Sequence, residues 1–188
     1  MLQKLLEWDR ALFLFLNDMN MHTFDPVMLV LSSYTLFMLV CLAIAFFILK
    51  REGRPGFVTL LFFMLTVGCN NMINQITKRI IARPRPIHED IFADIIHAIG
   101  KHETGFSFYS GHSTTAFCIA IFSLLYFRNK IYSAVILVWA FGVAYSRIYM
   151  GKHYPLDVLC GILIGSLIGF VGFKLCEYYK NKKLQPES

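Results

Sequence analysis

Two histidines, an aspartate and several basic residues stand at three separate places in this chain, and their types and spacing suit chemistry on an anion. The stretch Ser146-Arg147-Ile-Tyr-Met-Gly-Lys152-His153-Tyr-Pro155-Leu-Asp157 lies between two strongly apolar runs. Pro155 suits the first turn of a helix, so Asp157 falls within that turn and within reach of His153. A carboxylate accepting a hydrogen bond from one imidazole nitrogen fixes the tautomer and turns the other nitrogen outward, as a histidine nucleophile or base requires. The same carboxylate would favour the helix N-terminus electrostatically.

The second place is Tyr109-Ser110-Gly111-His112-Ser113. Ser110 is an N-cap candidate, and Gly111 would let a ligand approach the backbone closely. Helix N-termini offer free N–H groups and partial positive charge to anions, and His112 would stand at the mouth of such a site. Alone, His112 would read as a hydrogen-bonded interfacial residue. The third place is Lys78-Arg-Ile-Ile-Ala-Arg83-Pro84-Arg85-Pro86. Its prolines stiffen the backbone around Arg83 and Arg85, and the planar guanidinium fork matches phosphate oxygens. The three clusters together suit phosphoryl transfer through a phosphohistidine, with fixed cations neutralising the equatorial oxygens so that no metal or other cofactor is needed.

Positioning these groups falls to membrane helices. The chain of 188 residues is 56% hydrophobic and 16% charged, with a mean hydropathy of +0.55. Soluble domains are about half apolar and a quarter charged. The net charge of +6 is scattered in short connectors, which argues against nucleic acid as a partner. Crossing a bilayer takes about 20 apolar residues. Runs at 26–49, from Phe57 to Asn70, 113–127, 131–145 and 156–175 predict five spans. The third and fourth reach length only if His112 and Ser146 lie within their helices. Residues 1–20 carry Trp8, Asp9 and Arg10 among leucines and phenylalanines, and read as a helix on the membrane surface, or a sixth span if it inserts. The fold class is therefore all-α: one membrane domain over 1–188, a helical bundle with interfacial helices and a tail at 176–188.

The connectors 50–54 and 128–130 and the tail are short and basic, whereas the loops bearing the three clusters mix basic with acidic residues. By the positive-inside rule the clusters meet at the outer face and the C-terminus is cytoplasmic. Asn70, Asn71, Asn74 and Gln75 end the second span and should face the bundle. Gly161, Gly165 and Gly169 predict a close-packing face, toward a span of the same chain rather than a homodimer partner. Ile91, Phe92, Ile95, Ile96 and Ile99, opposite Glu89, Asp90, Asp94 and His97, predict a short helix in the outer loop 87–108, either a lid or an interfacial anchor. Five cysteines without CxxC spacing read as small buried hydrophobes.

Lys78-x6-Arg85-Pro86, Ser110-Gly111-His112 and Ser146-Arg147-x5-His153-x3-Asp157 resemble the three signature motifs of the type 2 phosphatidic acid phosphatase superfamily, which also includes the vanadium haloperoxidases. One departure is Tyr109, where the family usually has Pro. The resemblance implies that His153 attacks phosphorus, Asp157 holds and activates it, and His112 protonates the leaving oxygen. It assigns phosphate binding to Lys78, Arg85, Ser110, Gly111 and Arg147, without a divalent metal. It also implies a small bacterial protein of the inner membrane acting on a lipid phosphate or diphosphate. Undecaprenyl diphosphate ranks first, with lipid A and phosphatidylglycerol phosphate behind. A non-catalytic lipid-phosphate binding protein or transporter is the alternative from another class. The chain has no internal repeat and no polar path to the inner face, which argues against transport.

Overall fold

The apolar runs fold into helices, and the polar interruptions decide where these begin and end. The computed structural model describes residues 2–92, 95–100 and 103–184. Its α-helices are α1 (Leu2–Asp18), α2 (Asp25–Leu31), α3 (Tyr34–Glu52), α4 (Gly56–Ile81), α5 (Gly111–Phe127), α6 (Lys130–Tyr149) and α7 (Pro155–Leu184). No strand occurs among the described residues. Helices α3, α4, α6 and α7 include stretches long and apolar enough to cross a membrane. Helix α5 is apolar but shorter, at 17 residues. It is the central helix, packed by α4, α6 and α7 and buried along most of its length, so its neighbours rather than lipid satisfy it.

The expected first span at 26–49 is two helices. Ser33 accepts a hydrogen bond from Leu36 N and caps α3, while Ser32 Oγ lies 2.7 Å from Ser146 Oγ on α6. A serine pair offering local caps breaks an otherwise apolar run. Helix α4 does the reverse, running straight through Asn70, Asn71, Asn74 and Gln75. Asn70 accepts from Thr114 Oγ1 at 2.8 Å and Asn74 donates to Tyr109 O at 2.9 Å, so these two face α5 as expected. Asn71 also reaches α5, accepting from Thr115 Oγ1 at 3.0 Å although it is exposed, and Gln75 is exposed. His112 and Ser146 do lie within α5 and α6. Of the five free cysteines only Cys118 and Cys176 are buried, and Cys69 is exposed.

No regular helix forms in the described part of the loop 87–108. Two 3-10 turns, Pro86–His88 and Asp90–Phe92, are followed by irregular chain. The reason is competition for the backbone: Asn17 of α1 accepts from His97 N at 2.7 Å and donates to His97 O at 3.1 Å, pairing groups a helix would have used. Phe92 is buried against Phe13, whereas Ile91 and Ile95 are exposed. Asp94 lies outside the described residues, as does the end of the tail beyond Leu184.

Helix α1 places Asp9, Phe13 and Asn17 on one buried face and leaves Trp8 and Phe15 exposed on the other. Asn17 donates to the carbonyls of Ile148 and Tyr149 at 3.1 and 2.8 Å, closing the C-terminal end of α6. The glycine stripe of α7 packs on α5 of the same chain. A Cβ at Gly165 would stand 2.2 Å from Thr114 O, and one at Gly161 would stand 2.8 Å from Ser110 O. Only a helix face without side chains allows this approach, which brings the N-terminal ends of α5 and α7 side by side. Gly165→Ala must therefore push α7 away, with a stability loss of about 1–3 kcal/mol and a fall in activity larger than that loss explains. Thermal unfolding and turnover in detergent check this; an alanine variant with unchanged turnover would contradict it.

Candidate active site

All three clusters converge at the end of the bundle where α4 and α6 finish and α5 and α7 begin. Helix α4 stops at Ala82, whose φ of +49° leaves the helix. Pro84 and Pro86 then hold the preceding residues away from helical geometry. Arg85 is extended (ψ 154°), and Arg83 O accepts from Ser107 N at 2.7 Å. The two arginines consequently diverge. Arg83 turns to α7 and α1, donating to Asp157 Oδ1 at 2.8 Å and Asp9 Oδ2 at 2.7 Å, with its guanidinium 4.0 Å from the centre of the Tyr154 ring. Arg85 turns the other way, toward His153.

His153 is 1% exposed and sits in the connector just before α7. Its Nδ1 is 3.7 Å from Asp157 Oδ2, too far for the direct hydrogen bond expected from sequence. Ser107 stands between them: its Oγ is 3.2 Å from Nδ1 and donates a short hydrogen bond to Asp157 Oδ2. The hydroxyl relays the carboxylate, because it accepts from Nδ1–H while donating to Asp157. That assigns the proton to Nδ1 and leaves the Nε2 lone pair facing Arg85 NH1 at 3.2 Å. Burial, followed by the charges of Arg85, Lys78 and Arg147, holds the imidazole well below its ordinary pKa, so it is neutral. Asp157 also accepts from Tyr154 N at 3.1 Å, as a third helical residue does in a capping box. Asp9 takes the next free amide, Leu156 N, at 2.8 Å.

Around Nε2 lies a cradle of cations. Arg147 is fully buried and donates through NH1 to Ser32 Oγ at 2.9 Å. Its buried Nε has no hydrogen-bond partner among the described residues. Lys78 Nζ donates to Phe106 O at 2.8 Å, and Arg85 Nε to Gly105 O at 3.1 Å. Glu103 enters the cradle from the loop: its carboxylate pairs with Arg85 NH1 at 2.9 Å, with Lys152 Nζ at 3.3 Å, and closely with Arg147 NH2. Burial works to raise the Glu103 carboxyl, but the Arg147 and Arg85 charges outweigh it and hold it far below the usual carboxylate range. One group of potential metal ligands occurs among the described residues, His22, Asp25 and His97; it includes no cradle residue.

Of the remaining expected residues, Ser110 and Gly111 take structural positions, and His112 is held beside the cradle. Ser110 caps α5, its Oγ accepting from Ser113 N at 3.4 Å and Ser113 Oγ at 2.8 Å, while its amide donates to Asp157 O at 3.0 Å. Gly111 is bare because Asn74 Oδ1 would lie 2.9 Å from any Cβ there. His112 is in the first turn of α5, its Nε2 3.1 Å from Ser32 O and its ring against Tyr34 and Phe37. Sequence reasoning missed Ser107, Glu103, Asp9 and Ser32. Asp9 had a signal in the four-residue spacing of Asp9, Phe13 and Asn17; the others lie in irregular chain with no periodicity to mark them.

Ser107→Ala removes the relay but leaves the cradle, so kcat should fall about 10–100-fold with little loss of stability. Arg83→Met leaves two buried carboxylates short of a partner and should cost about 3–5 kcal/mol. In a 15N NMR titration His153 should remain neutral through the pH range in which an ordinary histidine, pKa about 6.5, takes up its proton. Protonation near 6.5 would contradict the burial and charges described.

Residues 57–181 match the family model described as the PAP2 superfamily. The chain is 28% identical over 186 residues to the lipid A 4'-phosphatase of Porphyromonas gingivalis, covering 97% of this chain and 79% of that protein. It is 27% identical over 175 residues to the undecaprenyl-diphosphatase of Sulfolobus acidocaldarius, covering 93% of this chain and 81% of that one. Among solved structures, the first transmembrane PAP2 type phosphatidylglycerolphosphate phosphatase from Bacillus subtilis superposes with a TM-score of 0.71 at 25% identity, over 98% of this chain and 90% of that one. The spans, the convergent site and the match over most of the chain agree: this is a multi-pass membrane lipid phosphatase that belongs to the PAP2 superfamily.

Proposed function

We propose that the protein removes a terminal phosphate from a long-chain lipid through a covalent phosphohistidine at His153. The observation that carries this reading is the neutral, buried imidazole whose Nε2 stands 3.2 Å from Arg85, inside a set of fixed cations. Phosphate oxygens bound by Lys78, Arg85 and Arg147 would present phosphorus to Nε2. The N–P bond forms as the P–O bond to the lipid breaks, and His112 gives its proton to the departing oxygen. Water then attacks phosphorus and gives its proton back to His112, the N–P bond breaks, and inorganic phosphate leaves. Asp157, through Ser107, stabilises the positive charge that develops on the imidazole. General-acid help of this kind contributes about 10²–10⁴-fold. The fixed cations supply the charge that metal ions carry in other phosphoryl transfers.

Undecaprenyl diphosphate is the first substrate proposed, cleaved at the outer face of the membrane with the C-terminus in the cytoplasm. The basic connectors 50–54 and 128–130 at the opposite end support that orientation. Lipid A 4'-phosphate is the second, favoured by the match to the Porphyromonas gingivalis enzyme over nearly the whole chain. Both offer a terminal phosphate on an apolar anchor, which is what the cradle requires. The purified protein with a chelator present should release phosphate from one of these lipids, and His153→Ala should abolish release while the variant still folds. Near-normal release by that variant would contradict the mechanism.

A further inference from the structure

Glu103 places a carboxylate where a phosphate is meant to bind. Its Oε2 lies 2.9 Å from Arg85, and its Oε1 pairs with Arg147 and lies 3.3 Å from Lys152. Two carboxylate oxygens thus take donors that two phosphate oxygens would need. The same segment takes more of them, since Gly105 O accepts from Arg85 Nε and Phe106 O from Lys78 Nζ. Arg147 and Arg85 are 0% and 4% exposed, so an incoming anion cannot use these contacts without moving Glu103 aside. Resting on the phosphatase reading above, we infer that Glu103 is a specificity-determining residue: a tethered competitor that admits phosphate monoesters and terminal diphosphates to the cradle and turns away phosphodiesters.

The charges decide which anions win. A tethered group competes at an effective concentration in the millimolar range whatever the membrane contains. A phosphodiester carries one negative charge on two free oxygens, the same as a carboxylate, and gains nothing by replacing it. A phosphate monoester carries about −1.5 to −2 on three free oxygens and does gain. The buried Nε of Arg147 has no partner among the described residues, and neither Glu103 oxygen engages it. In a bilayer the diester headgroups of bulk phospholipid vastly outnumber any monoester, so specificity here means rejecting the abundant anion as well as binding the rare one.

The test is Glu103→Gln, which keeps the size and removes the charge, with Glu103→Ala as a second variant. Inhibition of lipid-phosphate hydrolysis by phosphatidylglycerol in mixed micelles, and binding of inorganic phosphate by calorimetry, are compared with the parent protein. Both variants should be inhibited about tenfold or more strongly by phosphatidylglycerol, bind phosphate more tightly, and show a lower KM with little change in kcat. Unchanged inhibition and unchanged phosphate affinity would overturn the inference while leaving the phosphatase reading intact. Weaker phosphate binding in both variants would also overturn it, because Glu103 would then be part of the binding site. Phosphate binding by none of the three proteins would overturn this inference, while release of phosphate from the lipid by the parent protein would still support the mechanism proposed above.

Discussion

A carboxylate with no solvent exposure, Asp157, is the constraint on which the rest of this structure depends. A buried charge is tolerated only when it is paired and hydrogen-bonded on all sides. Asp157 draws its partners from three parts of the chain that reach this end of the bundle: Arg83 after α4, Ser107 before α5, and Tyr154 N at the start of its own helix. Its backbone carbonyl takes Ser110 N as well, tying the start of α5 to the start of α7. Satisfying one charge therefore assembles the catalytic end. Arg83 extends the network to Asp9, which explains why an amphipathic helix with an exposed Trp8 keeps an acid on its inner face.

Packing makes that network possible. Glycines 161, 165 and 169 bring the α7 backbone against the carbonyls of α5, so the two helix starts meet at hydrogen-bond distance. Apolar contacts among α5, α6 and α1 surround the polar centre with Phe13, Phe117, Val143 and Tyr154. His153 is thereby screened from bulk solvent, and at such low exposure each fixed charge counts for more. The cations that depress the histidine are the ones that would hold phosphate oxygens. A single arrangement thus keeps His153 unprotonated and, in the mechanism proposed, prepares its target.

Much of this was legible in the sequence, for identifiable reasons. Apolar runs predict spans because the bilayer demands length, and Pro155 marks the start of α7 because it fits only a first turn. The convergence of Lys78, Arg85, Arg147 and His153 follows from alternating the spans. What escaped depends on atoms meeting through space. The Ser32–Ser33 break inside an apolar run was hidden because serine is equally at home in a helix interior and at a cap, and only the bonds to Ser146 and Arg147 decide. The loop helix expected from the isoleucine stripe lost its backbone groups to Asn17, a competitor 80 residues away. Ser107 and Glu103 sit in irregular chain, where spacing carries no information about what a side chain touches. The His153–Asp157 spacing predicted that the two side chains lie close together but not the hydroxyl between them.

The most direct test of the central claim is to trap the intermediate. A lipid substrate carrying 32P in its terminal phosphate would be mixed with the protein, quenched in alkali, and the labelled peptide mapped. Phosphohistidine survives alkali, and the account predicts label on His153 at Nε2, absent from His153→Ala. Label on another residue, or turnover with oxygen exchange showing direct attack by water and no labelled protein, would contradict it.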